Sequence, residues 1–356
     1  MGFSCGFLGL PNAGKSTLFN ALSAAGADVE AYPFCTTEEQ IGTVEVPDSK
    51  LDRLAQLFPK KEKVNTKIEF YDLAGLVKGA HQGEGLGNQF LAEIRGVDAL
   101  IHVVRCFENP NVPVENGDLD PISNIETIQA ELMLKDLETV ENRLRKLDRD
   151  QDHLRELYEI LKTDLEEGLP VREHDFSQRE LDELKSIAPL TAKPVLYVAN
   201  VSDDSSRDCI ESVNQYAERQ DAVSLVVNGE IEAEVRELGL SEEEQIEYLS
   251  EWGLEESALD RLITGGYNLL DLLTYYTTDG PEVRAWTIPR GATAEVAAGK
   301  VHSDFAEGFV HAEVVAIEDL LELGGRNEAH DEGLLKTRGE DYAVRDGDVI
   351  HFVTAS

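Results

Sequence analysis

Short, nearly continuous apolar runs punctuate the first 230 residues: Phe3 to Leu10, Ile68 to Asp72, Ala99 to Val104, Val195 to Ala199 and Val223 to Val227. Runs of this length without polar alternation predict strands buried on both faces. The stretches between them are helical or loop-like. Lys15 to Ala24, for example, places Leu18, Phe19 and Leu22 at helical spacing. Strands alternating with helices predict an α/β fold: a mostly parallel sheet with helices on both faces.

Between the third and fourth runs the period changes. Ala130, Met133, Leu137, Val140, Leu144, Leu147, Gln151, Leu154, Tyr158, Leu161 and Leu165 follow one another in steps of three and four, the spacing of a helical seam. The polar run Asp148 to Asp152 interrupts it, so two helices folded back on each other are expected rather than one long helix with an unburied stripe. The core of a local bundle is the preferred reading of the seam, and an intermolecular coiled coil the alternative. Gly168-Leu-Pro170 is expected to end the second helix, and Ser177-Gln-Arg-Glu180 has the form of a capping box that opens a third.

From Asp279-Gly-Pro281 onward the pattern becomes that of a small α+β unit. Val283 to Ile288, Phe309 to Ala316 and Val349 to Val353 are strand-like, and Thr293 can cap a helix carrying Val296, Ala297, Val301 and Phe305. The expected divisions are a sheet-and-helix domain over 1–121 and 192–278, a helical insertion over 122–191 and a C-terminal domain over 279–356.

The chemistry enters at Gly9-Leu-Pro-Asn12-Ala13-Gly14-Lys15-Ser16-Thr17, a full G-x-x-x-x-G-K-[ST] that follows a strand and precedes a helix. In such a loop the backbone N–H groups face phosphates, the helix start adds its positive dipole end, the lysine neutralises β and γ oxygens and the serine hydroxyl ligates magnesium. The loop therefore predicts a nucleoside triphosphate with Mg2+, with Lys15 acting on the transferred phosphoryl group and Ser16 on the metal. Asp72-Leu-Ala-Gly75 follows the second buried run, where Asp72 would hold the metal through water and the Gly75 N–H would sense the γ-phosphate. Thr36, in Pro33-Phe-Cys-Thr36-Thr37, is the candidate second protein ligand to the metal, with a plain surface turn as the alternative.

Leu76 occupies the position at which many GTPases carry a water-orienting glutamine. A leucine cannot orient water, so slow turnover is expected. His81 is the nearby polar candidate for that task. Asn200-Val201-Ser-Asp203, at the end of the fourth run, is the base-reading candidate. Its aspartate matches guanine, but Val201 stands where GTPases have lysine. Asn228 and Gly229 after the fifth run are either a second base contact or a plain turn.

Composition narrows the setting. The net charge is −38, and more than half of it falls in 122–278, which argues against binding nucleic acid through overall electrostatics. Any such contact would use a local basic cluster such as Lys60, Lys61, Lys63 and Lys67. The acidity fits either a salty cytoplasm or an ordinary acidic protein. No apolar stretch approaches the length of a membrane span and the chain start has no basic, apolar leader, so a cytoplasmic protein without membrane contact is expected. The four cysteines lack metal-ligand spacing, so reduced thiols and no structural metal are expected.

Taken with Asp72-Leu-Ala-Gly-Leu-Val-Lys-Gly-Ala-His81, Gly83-Glu-Gly-Leu-Gly-Asn88, His102-Val-Val-Arg-Cys-Phe-Glu108 and Val283-Arg-Ala-Trp-Thr-Ile-Pro289, the phosphate loop makes the chain resemble, over essentially its full length, the YchF or Obg-like ATPase family of TRAFAC-class P-loop NTPases. The resemblance implies a G domain with an inserted helical hairpin and a C-terminal β-grasp domain of TGS type. It also implies ATP hydrolysis in preference to GTP, and association with the ribosome, through its large subunit. The family usually has glutamate where this chain has Asp203, and the resemblance implies that this side chain is turned from the base, leaving Asn200 and the Val201 backbone to meet adenine. Alternatives from other classes are a nucleotide-gated ribosome-binding regulator with incidental hydrolysis and a GTPase of ribosome assembly.

Overall fold

The computed structural model describes residues 3–24, 28–31, 40–73, 86–109, 119–148, 151–238, 240, 242–251 and 257–355. In chain order the elements are β1 (Phe3–Leu8), α1 (Lys15–Ala24), β2 (Asp28–Ala31), β3 (Gln40–Glu45), α2 (Ser49–Leu57), β4 (Glu62–Val64), β5 (Lys67–Asp72), α3 (Leu86–Gly96), β6 (Ala99–Arg105), α4 (Pro121–Lys146), α5 (Asp152–Glu166) and α6 (Gln178–Leu184). There follow β7 (Val195–Asn200), α7 (Arg207–Arg219), β8 (Val223–Val227), α8 (Gly229–Glu237), α9 (Glu242–Glu251), α10 (Ala258–Leu269), β9 (Leu272–Thr277), β10 (Glu282–Pro289), α11 (Ala294–Val301), α12 (Ser303–Glu307), β11 (Phe309–Ala316), α13 (Ile317–Leu323), α14 (Arg326–Asp331), β12 (Lys336–Arg338) and β13 (Asp348–Thr354).

Two compact units emerge. One comprises Phe3–Val44 and Glu69–Leu269, the other Glu45–Ile68 together with the chain from Leu270 onward.

The first unit carries a seven-stranded sheet in the order β2-β3-β5-β1-β6-β7-β8. β1, β6, β7 and β8 run parallel, and β2 and β3 form an antiparallel pair. β6 and β7 are buried at every position, including His102, Arg105 and Asn200 at the polar breaks in their apolar runs. The core on one side joins Leu100, Val104, Val195 and Tyr197 to Phe90 and Ile94 of α3, Ile125 and Ile128 of α4, and Val213 of α7.

The heptad-like segment forms two helices, α4 and α5, with the break in the polar run. Asp120 caps α4 through the Ser123 N–H (3.0 Å), with Pro121 in the first turn, where a missing N–H costs nothing. α4 has two apolar faces. Val140 packs with Leu157, Tyr158, Leu161 and Leu165 of α5, flanked by half-buried Met133, Leu137 and Leu144. Ile125, Ile128 and Leu132 instead join the core beneath the sheet, a second stripe that the seam reading overlooked.

The carboxylate of Asp136, fully buried, accepts from the Leu190 N–H (2.8 Å), the Thr191 N–H (2.8 Å) and the Thr191 hydroxyl (2.6 Å). Burial pushes its pKa up and those hydrogen bonds pull it down. They tie α4 to the turn that leads into β7. The capping box at Ser177 and Glu180 forms as expected.

The second unit is a six-stranded mixed sheet, β12-β11-β13-β9-β10-β4. Its centre is the antiparallel pair β9–β10, in register from Leu272↔Pro289 to Thr277↔Arg284, and β13 runs parallel to β9. Alternation along the strands supplies two apolar faces. Leu273, Tyr275, Ile288, Val314, Ile350 and Phe352 pack with Ala294, Ala297 and Ala298 of α11. Tyr276, Val283, Ala285, Val315 and Val349 pack with Leu51 and Leu54 of α2 and Ile317 and Leu320 of α13.

The divisions differ from those expected along the sequence in two places. Asp279-Gly-Pro281 is the turn of the β9–β10 hairpin rather than a border, so the unit begins before β9. The stretch 45–68 belongs to it as well, because β4 pairs in parallel with β10 and α2 covers one face of its sheet. Asp48 fastens that helix: one carboxylate oxygen caps it at the Lys50 and Leu51 N–H groups, and Tyr276 donates its hydroxyl to the same carboxylate (2.9 Å).

Candidate nucleotide site

The carboxyl ends of β1, β5, β7 and β8 carry or precede the predicted residues that are described, at the edge of an open α/β sheet where ligands sit. After β1 the chain turns through Gly9 (φ +157°), Asn12 (φ +64°) and Gly14 (φ +94°) into α1. Asparagine tolerates the left-handed region better than most side chains. At Gly14 the need for glycine is steric as well, since a Cβ there would lie 2.0 Å from Nδ2 of Asn200. The Ala13 N–H donates to Leu10 O (3.3 Å), which closes the turn. Ser16 and Thr17 are exposed in the first turn of α1, where N–H groups lack intrahelical acceptors.

Lys15 is 7% exposed and folds its ammonium back over the loop, donating to Gly9 O (2.9 Å) and Leu10 O (3.0 Å). Burial pushes its pKa down, and the Asp72 carboxylate nearby opposes that shift. The Asp72 carboxylate thus acts on the Lys15 cation, and the exposed Ser16 follows it in the first turn of α1. Thr36, Gly75 and His81 lie outside the described residues.

Asn200, 4% exposed, is a brace between loops. Its Nδ2 donates to Ala13 O (2.9 Å), and its Oδ1 accepts the Gly229 N–H (3.1 Å). The Val201 N–H donates to Val227 O (2.9 Å), which holds the loop after β7 against the end of β8. Asp203 is exposed and accepts from Nδ2 of Asn228 (3.3 Å). Oδ1 of Asn228 in turn accepts the Glu230 and Ile231 N–H groups (each 3.2 Å) at the start of α8. Hydrogen bonds thus link Ala13 to Asn200 and Asn200 to Gly229, and Asp203 to Asn228, while Val201 is held to the end of β8 and Asp72 acts on Lys15 by its charge.

Two further polar groups, Arg105 and His102, lie on β6 within the His102-to-Glu108 motif. Arg105 ends β6 in register with Asn200, donates Nε–H to Phe107 O (3.0 Å) and stacks on the Phe107 ring (4.7 Å). His102, buried on β6 beside Leu8, packs on Tyr197 with ring centroids 5.6 Å apart. Burial, then the positive charges of Arg172 and Lys15, push its pKa down to about 3. A histidine inside an apolar run is the available sequence signal, but the run does not reveal that the ring is neutral.

The titration of His102 carries a stability consequence. The folded-state pKa of about 3 lies below the ordinary 6.5, so the folded chain binds fewer protons between those values. Its contribution is complete above pH 6.5 and is lost as the pH falls towards 3. Denaturant titrations at pH 6.5 and pH 5 should show about 2 kcal/mol lost to this group, and His102→Phe should remove that component of the slope. An unchanged slope would mean that the ring is protonated in the folded state.

The basic cluster is partly spent within the second unit. Lys61 donates to Thr278 O, and Lys63 pairs with Asp52 (2.6 Å). No group of His, Cys, Asp and Glu among the described residues could hold a metal ion by itself, and no described helix is long and apolar enough to cross a membrane. Cys5, Cys106 and Cys209 are buried free thiols.

A glycine-shaped loop between a buried strand and a helix, with a buried lysine folded over it and an asparagine bracing it to the base-side loops, defines a P-loop nucleoside-triphosphatase domain. A family model described as 50S ribosome-binding GTPase matches residues 4–143, and one for the C-terminal domain of YchF GTPases, described as a protein of unknown function, matches 272–355. The chain is 46% identical over 364 residues to the ribosome-binding ATPase YchF of Bacillus subtilis and 45% identical over 361 residues to that of Haemophilus ducreyi, each match covering 99% of both chains. The structure of the Schizosaccharomyces pombe YchF GTPase superposes with a TM-score of 0.85 at 32% identity, covering 99% of this chain and 97% of that one. The chain belongs to the YchF family.

Proposed function

We propose that this protein is a cytoplasmic, ribosome-associated P-loop NTPase that binds and slowly hydrolyses ATP with magnesium. The carrying observation is the brace at Asn200, which joins the phosphate loop at Ala13 to the base-side loop at Gly229 and so makes one site of two motifs far apart in sequence. Relatives named ribosome-binding ATPase, aligned along the whole chain, support the substrate and the partner. The large subunit is the expected docking site, in keeping with the description of the GTPase family model.

The residues present fit magnesium. Ser16 and Asp72 offer hard oxygen donors beside the Lys15 cation, the donor type that a triphosphate-bound divalent ion takes, and Thr36 would complete the protein ligands. The ion supplies neutralisation of the β and γ oxygens. Lys15 leaves Gly9 O and Leu10 O to meet those oxygens, the N–H groups from Asn12 to Thr17 surround the phosphates, and the Gly75 N–H and His81 act on the γ-phosphate side. Asn200, Val201, Asp203, Asn228 and Gly229 form the base side. The nucleotide domain then corresponds to the first unit without 122–191, the helical insertion to that stretch, and the TGS-type domain to the second unit.

Turnover measured with and without ribosomes, together with competition between ATP and GTP, tests this reading. Stimulation by ribosomes and tighter ATP binding support it. Unstimulated turnover favours the nucleotide-gated regulator, and GTP preference favours the GTPase of ribosome assembly. Ser16→Ala should shrink the gain in ATP affinity on adding magnesium by roughly tenfold, since a direct oxygen ligand is lost. An unchanged magnesium titration would remove Ser16 from the ligand set.

A further inference from the structure

We infer that Asn228 is a specificity-determining residue, which, in place of the turned-away Asp203 that the family resemblance implies, makes the Asp203 carboxylate half of a donor–acceptor edge for adenine. The inference rests on the proposed ATPase reading and assigns the base preference of that site to a particular pair.

The orientation of the Asn228 amide is fixed by its partners. Oδ1 accepts two backbone N–H groups, those of Glu230 and Ile231, and only the oxygen can accept. Nδ2 is therefore the atom facing Asp203, and it donates one hydrogen to Oδ1 of that carboxylate. Guanine presents donors at N1 and N2, and a carboxylate recognises them best with both oxygens free. One oxygen of Asp203 already accepts a hydrogen from Nδ2, which weakens it as an acceptor and holds the carboxylate in one orientation. What the pair has left to offer a base is the second Asp203 oxygen, an acceptor, and the second Nδ2 hydrogen, a donor. Adenine presents the complement on either edge: a donor at N6 next to an acceptor at N1 or N7.

The pair stands at the base side of the site. Asp203 lies three residues beyond Asn200, and Asn228 directly precedes Gly229, whose N–H that same Asn200 accepts. Val201, where a lysine would stand in a GTPase, removes the other support for a guanine. Asn228 also anchors the start of α8, so its hold on Asp203 comes from a rigid element.

The test is calorimetric titration of ATP and GTP into the full chain and into Asn228→Ser, which retains a helix-capping hydroxyl but lacks the amide. The parent is expected to favour ATP. In Asn228→Ser the freed carboxylate should strengthen GTP and weaken ATP, and the ratio of the two dissociation constants should move at least fivefold towards GTP. In an Asp203→Ala background the same Asn228→Ser change should move the ratio by less than half as much, because no carboxylate is freed and only the Nδ2 donor is lost. A parent that favours ATP with the same ratio in Asn228→Ser overturns this inference and leaves the ATPase reading standing. An equal shift in the Asp203→Ala background overturns this inference alone, and a parent that favours GTP overturns both.

Discussion

Lys15→Ala is expected to lose about 100-fold in nucleotide affinity while keeping its melting temperature. Charge-assisted hydrogen bonds of this kind are worth about 1.5 to 3 kcal/mol each, and each 1.4 kcal/mol is tenfold in affinity. The unchanged stability follows from the resting position of the side chain. Lys15 is buried and its ammonium is held by two carbonyl oxygens, those of Gly9 and Leu10. Burial also disfavours its charge, so alanine relieves a desolvation cost as it removes two hydrogen bonds. Binding of ATP by calorimetry and thermal unfolding without nucleotide measure the two halves. Equal ATP affinity in variant and parent would remove Lys15 from the site. A large drop in melting temperature would mean that the two carbonyl contacts are structural.

Removal of residues 270–356 should not yield a clean nucleotide domain. Leu51 and Leu54 are 0% exposed, against Tyr276, Val283, Ala285 and Ile317. Losing those partners uncovers leucine surface worth about 1.5 to 3 kcal/mol per side chain. It also strips Asp48 of the Tyr276 hydroxyl and β4 of its only strand partner among the described residues. The truncated chain should aggregate, and hydrogen exchange over 49–57 should approach that of an unfolded segment. A second truncation that also replaces 46–66 by a short glycine-containing turn should stay soluble, since β3 and β5 are neighbours in their sheet. A soluble first truncation with a protected α2 would mean that the helix is stable without the late strands.

The fold was legible where local chemistry and burial agree. β6 and β7 are nearly continuous apolar runs buried at every position, whereas β8, the edge strand, begins at an exposed Val223; the phosphate loop spells its own backbone through Gly9 and Gly14, and the capping box at Ser177 and Glu180 is self-contained. Elements set by distant partners were not legible. β4, three residues long with two of them charged, exists as a strand through its pairing with β10. The residues of β9 contain no glycine or proline, and nothing in them marks a border, so the conspicuous Asp279-Gly-Pro281 was taken for one. The buried side of Asp136 follows from Leu190 and Thr191, more than fifty residues away. At the site, residue types and strand ends came from the sequence. The roles of Asn200 as a brace and of Asn228 as the holder of Asp203 required knowing which loops lie together.

The split origin of the second unit also sets an order of events during synthesis. Residues 45–68 leave the ribosome roughly 200 residues ahead of β9 and β10, which at about 5 to 20 residues per second is a wait of about 10 to 40 s. Throughout that interval Leu51 and Leu54 have none of their β9, β10 or α13 partners. The nucleotide-binding sheet can close around the waiting segment, because β3 and β5 flank it and pair without it. Folding of the second unit is therefore a late step that must reclaim an early piece of chain. A newly made molecule passes through a stage with a formed phosphate loop and an unsatisfied apolar helix, the stage at which a chaperone that recognises exposed leucines would find it.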